Sequence, residues 1–380
     1  MKYLKNYLFV SILFLFSAPV FTTLFTPTIA SAHEVYVLSP AEITQAIGTP
    51  PFDMIAVIQH NLGEFTFWAF ISILIVFCVF FISILRFLER WVDPFFIKMR
   101  QYAPFVARVT VGLSFLAAAY YQASYGPELP LTGTYGPFTG FITVVLVAIG
   151  IMTMFGLYAR LAATIALIMY GIGVWFHGWY MLTYINYLGE IIVLLVLGAH
   201  NLSLDRLLGK GKENTGAAST LTTPPPSPQS VGGSFTTFHT FWHKLSLWIA
   251  PKSFAILRVC FGISLIYASA YAKVIHNNLG LFTVMKYHLD VLLGFEPHFL
   301  VLGAAIVEIL IGTFIILGIE IRFTSLFFEF WLMLSLWFFG EVVWPHIILI
   351  GIPIALIMYG YDDNSVEGFF FRKKKFEPVL

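Results

Sequence analysis

Apolar runs of about twenty residues, the length an α-helix needs to cross the hydrocarbon core of a bilayer, recur along this chain. They lie near 66–86, 105–124, 138–157, 161–181, 184–202, 254–274, 299–318, 322–340 and 345–361. Little else than an all-α membrane protein of nine transmembrane helices can be built from such a pattern. Composition agrees. Only 11% of the 380 residues are charged and 59% are hydrophobic, whereas a surface that faces water needs about a quarter charged. The net charge of +1 gives no reason to expect nucleic acid as a partner.

Lys2 and Lys5 precede an apolar run from Tyr7 to about Phe25 that ends near Ala30-Ser31-Ala32. A basic region, an apolar region and a small-residue site in that order predict a signal peptide over 1–32. The run is long, so an uncleaved anchor is the alternative. Cleavage would leave His33 at the terminus, where amine and ring together chelate copper, with His60 as the available second ligand. An outside start and nine crossings put the C-terminus in the cytoplasm, in a plasma (inner) membrane. The basic residues follow the same sidedness: Arg86, Arg90, Lys98, Arg100, Arg160, Arg206, Arg322 and the run Arg372-Lys373-Lys374-Lys375 fall on the predicted cytoplasmic side. Lys273 and Lys286 fall outside, where Trp175, Trp179, Trp337 and Trp344 form an expected aromatic belt.

The chain repeats itself. Arg108-Val109-x-x-Gly112-x-Ser114 returns 150 residues later as Arg258-Val259-x-x-Gly262-x-Ser264. From the next helix the offset is 162: Gly156-Leu157-x-x-Arg160 matches Gly318-Ile319-x-x-Arg322, and Trp175-Phe176-x-Gly178 matches Trp337-Phe338-x-Gly340. The ends Ser203-Leu204-Asp205 and Ser365-Val366-Glu367 also correspond. Two four-helix modules, 105–208 and 254–367, are therefore expected. An even helix count gives them the same orientation, unlike the inverted repeats of many transporters. The remainder divides into an extracytoplasmic segment (33–65), an extra helix with a cytoplasmic loop (66–104), a Pro/Gly/Ser-rich linker (209–253) and a basic tail (368–380).

At these residues the chain resembles the DoxX/DoxD-type membrane proteins, whose unit combines an R-x3-G helix often ending in Lys, an E-x3-G-x5-G-x3-R helix, and a last helix closing in S-L-D. The second module carries the resemblance through Arg258, Gly262, Lys273, Glu308, Gly312, Gly318 and Arg322, and the first through Arg108, Gly112, Gly156, Arg160, Glu190 and Ser203-Leu204-Asp205. Leu146 and Ala123 replace the Glu and Lys in the first module, and Ile352 stands opposite Glu190 in the second. The resemblance implies membrane oxidoreductase chemistry, such as a quinone-reducing thiosulfate oxidoreductase subunit. Cys78 and Cys260 form no CxxC, so a redox role requires a bound cofactor or a partner.

Ionisable groups inside apolar runs are costly and mark sites or pairs. Glu308 and Glu190 are the candidate proton-handling acids, and Lys273 lies within reach of Glu308. Arg258 and Glu329 lie at similar depth, which predicts an ion pair, whereas Arg108 is left to carbonyls or to snorkelling. Arg160 and Arg322 read as topology anchors at helix C-termini. His177, Trp175, Trp337, Glu341 and His346 gather at the outer mouth as candidate binding residues, with Tyr184, His276, Lys286, His288, Asp290 and His298 around them. No H-x3-H or HExxH spacing defines a metal site, and haem would have His177 alone at suitable depth. The leading expectation is an integral membrane component of an electron-transfer system linked to a quinone or a sulfur compound, with the bilayer and an extracytoplasmic or membrane redox partner around it. A small-solute transporter and a non-catalytic scaffold are the alternatives.

Overall fold

The computed structural model describes residues 37–198, 203–207, 246, 248–341 and 343–370. The signal peptide, His33, nearly all of the linker and residues 371–380 of the tail lie outside the described residues. Within them the chain is helical, with one isolated bridge (Ala123 to Pro130) and no strand. Two short helices come first, α1 (Pro40–Gly48) and α2 (Met54–Asn61), followed by the long α3 (Phe65–Met99). The first repeat contributes α4 (Ala103–Tyr120), α5 (Thr139–Phe155), α6 (Ala159–His177) and α7 (Ile185–Leu197). The second contributes α8 (Ser253–Ala270), two short helices α9 (Asn278–Lys286) and α10 (Leu289–Leu293), then α11 (Pro297–Leu317), α12 (Ile321–Phe339), α13 (Ile347–Tyr359) and the terminal α14 (Val366–Phe370).

Seven helical stretches are long and apolar enough to cross a membrane, which makes this a multi-pass membrane protein. One of them, Ala159–Leu197, contains both α6 and α7, and the apolar Trp344–Tyr359 is shorter than the rest. The loop expected after residue 86 is instead helical. α3 continues to Met99, and a single tight turn at Arg100–Tyr102 leads into α4. Charged residues interrupt the apolar run there without interrupting helix formation, since Arg, Glu and Lys are good helix formers.

Small residues set the packing. In the first repeat α4 crosses α5 at Gly112 and Gly150, where a Cβ on either would sit 2.9 Å from the other's carbonyl oxygen. The equivalent Gly262 and Gly312 meet between α8 and α11, at 2.6 and 2.9 Å by the same measure. Such contacts let backbones approach closely where lipid offers no hydrophobic drive for helix association. The last helix of each repeat then packs on the first helix of the other: α7 on α8, and α13 on α4. One continuous apolar core runs through both repeats, from Phe115 and Tyr187 to Phe261 and Ile352.

Gly156 and Gly318 end α5 and α11 in the left-handed region (φ 65° and 68°), where a side chain is strained. Arg108 lies against the first and Arg258 against the second, with Ser203 and Ser365 on the far sides. The backbone N–H of Asp205 donates to Gly156, and that of Glu367 to Gly318, at 3.3 and 3.2 Å. The first-helix Arg, the glycine that ends the next helix and the Ser-x-acid motif therefore form one corner in each repeat.

Candidate functional site

The offset change from 150 to 162 means that the second repeat carries twelve extra residues between its first two helices. They contribute to α9 and α10, which together with α8, α11 and α12 line a cavity of about 510 Å³. That is within the roughly 300–1,000 Å³ usual for small-molecule sites. Most of its wall is apolar, including Leu292, Phe299, Val307, Phe328 and Trp331, and Val37 joins it from the N-terminal segment.

An ion pair is set in this wall. α8 continues into a π-helical turn, Tyr271–Ile275, that contains Lys273. The wider turn is a device often found at functional sites, because it displaces a side chain from the regular helical track. The Lys273 ammonium lies 2.8 Å from the Glu308 carboxylate on α11, both groups lining the cavity, with Glu308 the more open at 21% exposure. The first repeat has Ala123 and Leu146 at these positions, and α4 ends at Tyr120 without a π turn. One helical turn before Lys273, the Ser269 hydroxyl lines the same wall with no hydrogen-bond partner among the described residues. A paired ammonium and carboxylate in an apolar wall can donate to a carbonyl or oxyanion and exchange a proton with it.

Glu341 also lines the cavity. It accepts a hydrogen bond from Ser335 at 3.0 Å, and its other oxygen lies 3.2 Å from the fully buried His346 ring. Of the residues expected to form a site, the fold thus gathers Lys273, Glu308 and Glu341, with His346 behind them. It separates Glu190 from them. That acid is enclosed in the core on α7, near Thr110, and neither oxygen has a hydrogen-bond partner among the described residues. Trp175 and Trp337 do not enter the cavity; they face outwards at 85% and 80% exposure, as rim residues do. His177 is held by Thr134 at 3.0 Å, also away from it.

The expected Arg258–Glu329 pair is not formed. Arg258 donates instead to the carbonyls of Ile315, Ile316 and Asn364 at 3.1, 2.9 and 3.0 Å, and neither Glu329 oxygen has a hydrogen-bond partner among the described residues. The last carbonyls of a helix have no intrahelical donor, and α11 presents them to Arg258 at the Gly318 corner. Arg108 does not snorkel to water either; it is 1% exposed. Arg160 and Arg322 begin α6 and α12 and, as expected, interact with helix C-termini, those of α7 and α13. They donate to Val196 and Ile357, carbonyls in the last turns of α7 and α13, at 3.2 and 3.0 Å. Arg322 is in addition ion-paired with Glu89 (3.3 Å) and Asp93, which ties α3 to the second repeat.

Three groupings had no linear signal. Glu128 accepts from Tyr180 (3.0 Å) and Tyr184 in the first repeat. Glu89, Glu320 and Glu367 bring carboxylate oxygens within 4.8 Å of one another, all buried, next to Arg322. This is the cluster among the described residues whose spacing would admit a metal ion. Burial first, and then the neighbouring Glu89, push the Glu367 carboxyl up to about 10. The third is a cap made by the N-terminal segment. Lys286 donates to the Val37 carbonyl (3.0 Å) and to Glu42 (2.9 Å), while Asn278 donates to Thr49 and Pro50 (3.0 and 2.9 Å). Asn277 pairs with Phe52 through both backbone groups at 3.1 and 2.7 Å. The Lys286 hydrogen bond, with Ser39, holds Glu42 down at about 2. The remaining outer-mouth histidines do not converge: His298, for example, pairs with Glu296 at 2.7 Å.

Compared with family models, curated proteins and solved structures, the chain matches none.

Proposed function

We propose that this protein is an integral membrane component of an electron-transfer system and that its cavity receives the head of a quinone beside Lys273 and Glu308. The observation that carries this reading is the Lys273–Glu308 ion pair set in the wall of a largely apolar cavity of about 510 Å³. Such a wall accepts a flat apolar ring, while the ammonium and carboxyl are placed for its oxygens and for the proton that accompanies reduction. The resemblance to DoxX/DoxD-type proteins points the same way and also admits a sulfur compound as the other substrate, with electrons delivered by an extracytoplasmic or membrane partner. In this reading the chain crosses nine times, with α6, α7 and α13 counted separately. Its mature N-terminus is outside, its C-terminus is cytoplasmic, and the two modules form one bundle about a two-fold axis along the membrane normal.

The test is an organic extract of the detergent-purified protein, analysed by mass spectrometry, alongside quinone-dependent turnover. Quinone should co-purify at close to one per chain; Lys273→Met should lower its retention about tenfold, the loss of one charge-assisted hydrogen bond to a quinone oxygen, and Glu308→Gln should lower quinone-dependent turnover. Solute uptake by sealed vesicles, with no quinone retained, would replace this reading by the transporter. Unchanged assembly with a partner after replacement of both Glu308 and Lys273, again without quinone, would replace it by the scaffold.

A further inference from the structure

The cavity does not end at its own wall. A second, smaller crevice of about 250 Å³ runs between α3 and the α11–α12 pair, and the two share Phe70, Val307, Ile311 and Trp331. Beyond those shared residues the crevice is lined by Ile73, Phe77 and Phe81 of α3, Leu310 and Phe314 of α11 and Phe327 of α12. Its one hydroxyl, on Thr324, is bonded to the Ile319 carbonyl at 2.9 Å. No polar atom is presented to the crevice. α3 stands largely clear of the bundle along this stretch, with Ile73, Ile75, Val76 and Val79 exposed. The crevice thus lies beside the lipid-exposed face of α3 and adjoins the ion-paired cavity across four shared wall residues.

We propose that this crevice seats the isoprenoid tail of the molecule whose head lies at Lys273–Glu308. The inference rests on the quinone reading and names the part of the ligand that the cavity leaves unaccounted for. Adjacency supplies the argument: a tail leaving a head at Glu308 past Val307 and Ile311 meets a wholly apolar crevice. From Glu308 to Phe314 along α11 is a rise of about 9 Å, room for about two isoprene units. The tail enters from the membrane, where it already resides, so what it gains in the crevice is position and packing; its transfer out of water has already taken place. Phe77, Phe81, Phe314 and Phe327 form the packing surface, with Phe77 and Phe327 rings 5.5 Å apart.

Photolabelling of the full chain in phospholipid nanodiscs tests this. Two benzoquinone probes with two isoprene units are used, one bearing a diazirine at the tail end and one bearing it on the ring. A phospholipid with a diazirine at its acyl end is the third probe. The ring probe should label the Lys273–Glu308 walls, and the tail probe should label residues 70–81 and 324–331. Leu310→Trp, which fills the crevice, should reduce tail labelling at least tenfold and leave ring labelling in place. Ring labelling at the cavity with tail labelling elsewhere overturns the tail assignment while keeping the quinone reading. No specific labelling by either quinone probe overturns the quinone reading itself. Crevice labelling by the phospholipid that excess quinone does not displace also overturns the assignment, making the crevice a lipid seat.

Discussion

Glu308 and Glu190 are both acids inside apolar helices, yet the fold gives them opposite surroundings. Glu308 has Lys273 at 2.8 Å and a cavity in front of it; Glu190 has neither an ion-pair partner nor a cavity. An enclosed carboxyl without hydrogen bonds costs about 1–3 kcal/mol. Glu190→Leu should therefore stabilise the fold by about 1–3 kcal/mol, seen as a raised thermal midpoint, without altering quinone retention. A lowered midpoint would mean that Glu190 carries a bond essential to the bundle. Breaking the other acid's pair by Lys273→Met should destabilise, by up to the 3–5 kcal/mol or so seen for single removals from buried pairs. Glu367 gives a pH signature. Its carboxyl is raised to about 10, so the folded chain holds a proton there that the unfolded chain releases above the ordinary 4.5. The stabilisation it lends is complete below about 4.5 and is lost as pH rises towards 10. Melting of Glu367→Gln should consequently depend less on pH between 6 and 9 than melting of the native chain; an identical slope would remove Glu367 as its source. The residue types that carry this chemistry were legible in the sequence, but the pairings were only half so. Depth along a helix is one coordinate and rotation about its axis is another. Arg258 and Glu329 agreed in the first and differ in the second.

At the level of elements, the close crossings depend on glycine. A Cβ on Gly262 would meet the Gly312 carbonyl at 2.6 Å, and a backbone carbonyl cannot move aside as a side-chain end can. Gly262→Ala should thus destabilise by about 1–3 kcal/mol, as overpacking does, measured by thermal or detergent-induced unfolding. Gly171→Ala, where no atom lies within 4 Å of the added Cβ, should be silent in the same assay. The cap responds to acid. Glu42 is held at about 2 by Lys286 and Ser39, so its contribution is complete above 4.5 and is lost as pH falls through about 2. Hydrogen-exchange protection of residues 37–62, corrected for the intrinsic rate at each pH, should fall over that interval and be acid-independent in Glu42→Gln. Most transmembrane elements were read from the sequence to within a few residues, because twenty-residue apolar runs leave few choices. The tail of α3 escaped since charge marks the end of an apolar run, and not the end of a helix. α9 and α10 escaped because nine- and five-residue helices in a loop have no clear periodicity, although the twelve extra residues marked the place.

For the whole molecule, reciprocal packing of the two repeats is the governing feature. α7 rests on α8 and α13 on α4, so a substantial part of the one continuous core lies between the repeats. Residues 1–208 and 246–380, expressed together as separate chains, should co-purify. Each expressed alone should be degraded, its half of the shared core being open to lipid. Independent stability of either fragment would mean that the repeats are self-sufficient. The same arrangement dictates an order of events in time. α4 begins at Ala103 and its partner α13 at Ile347, about 240 residues later, an interval of roughly 12–50 s at usual rates of synthesis. Throughout that interval the first repeat waits in the membrane with one flank uncovered, and the bundle closes only when almost the last helix has left the ribosome.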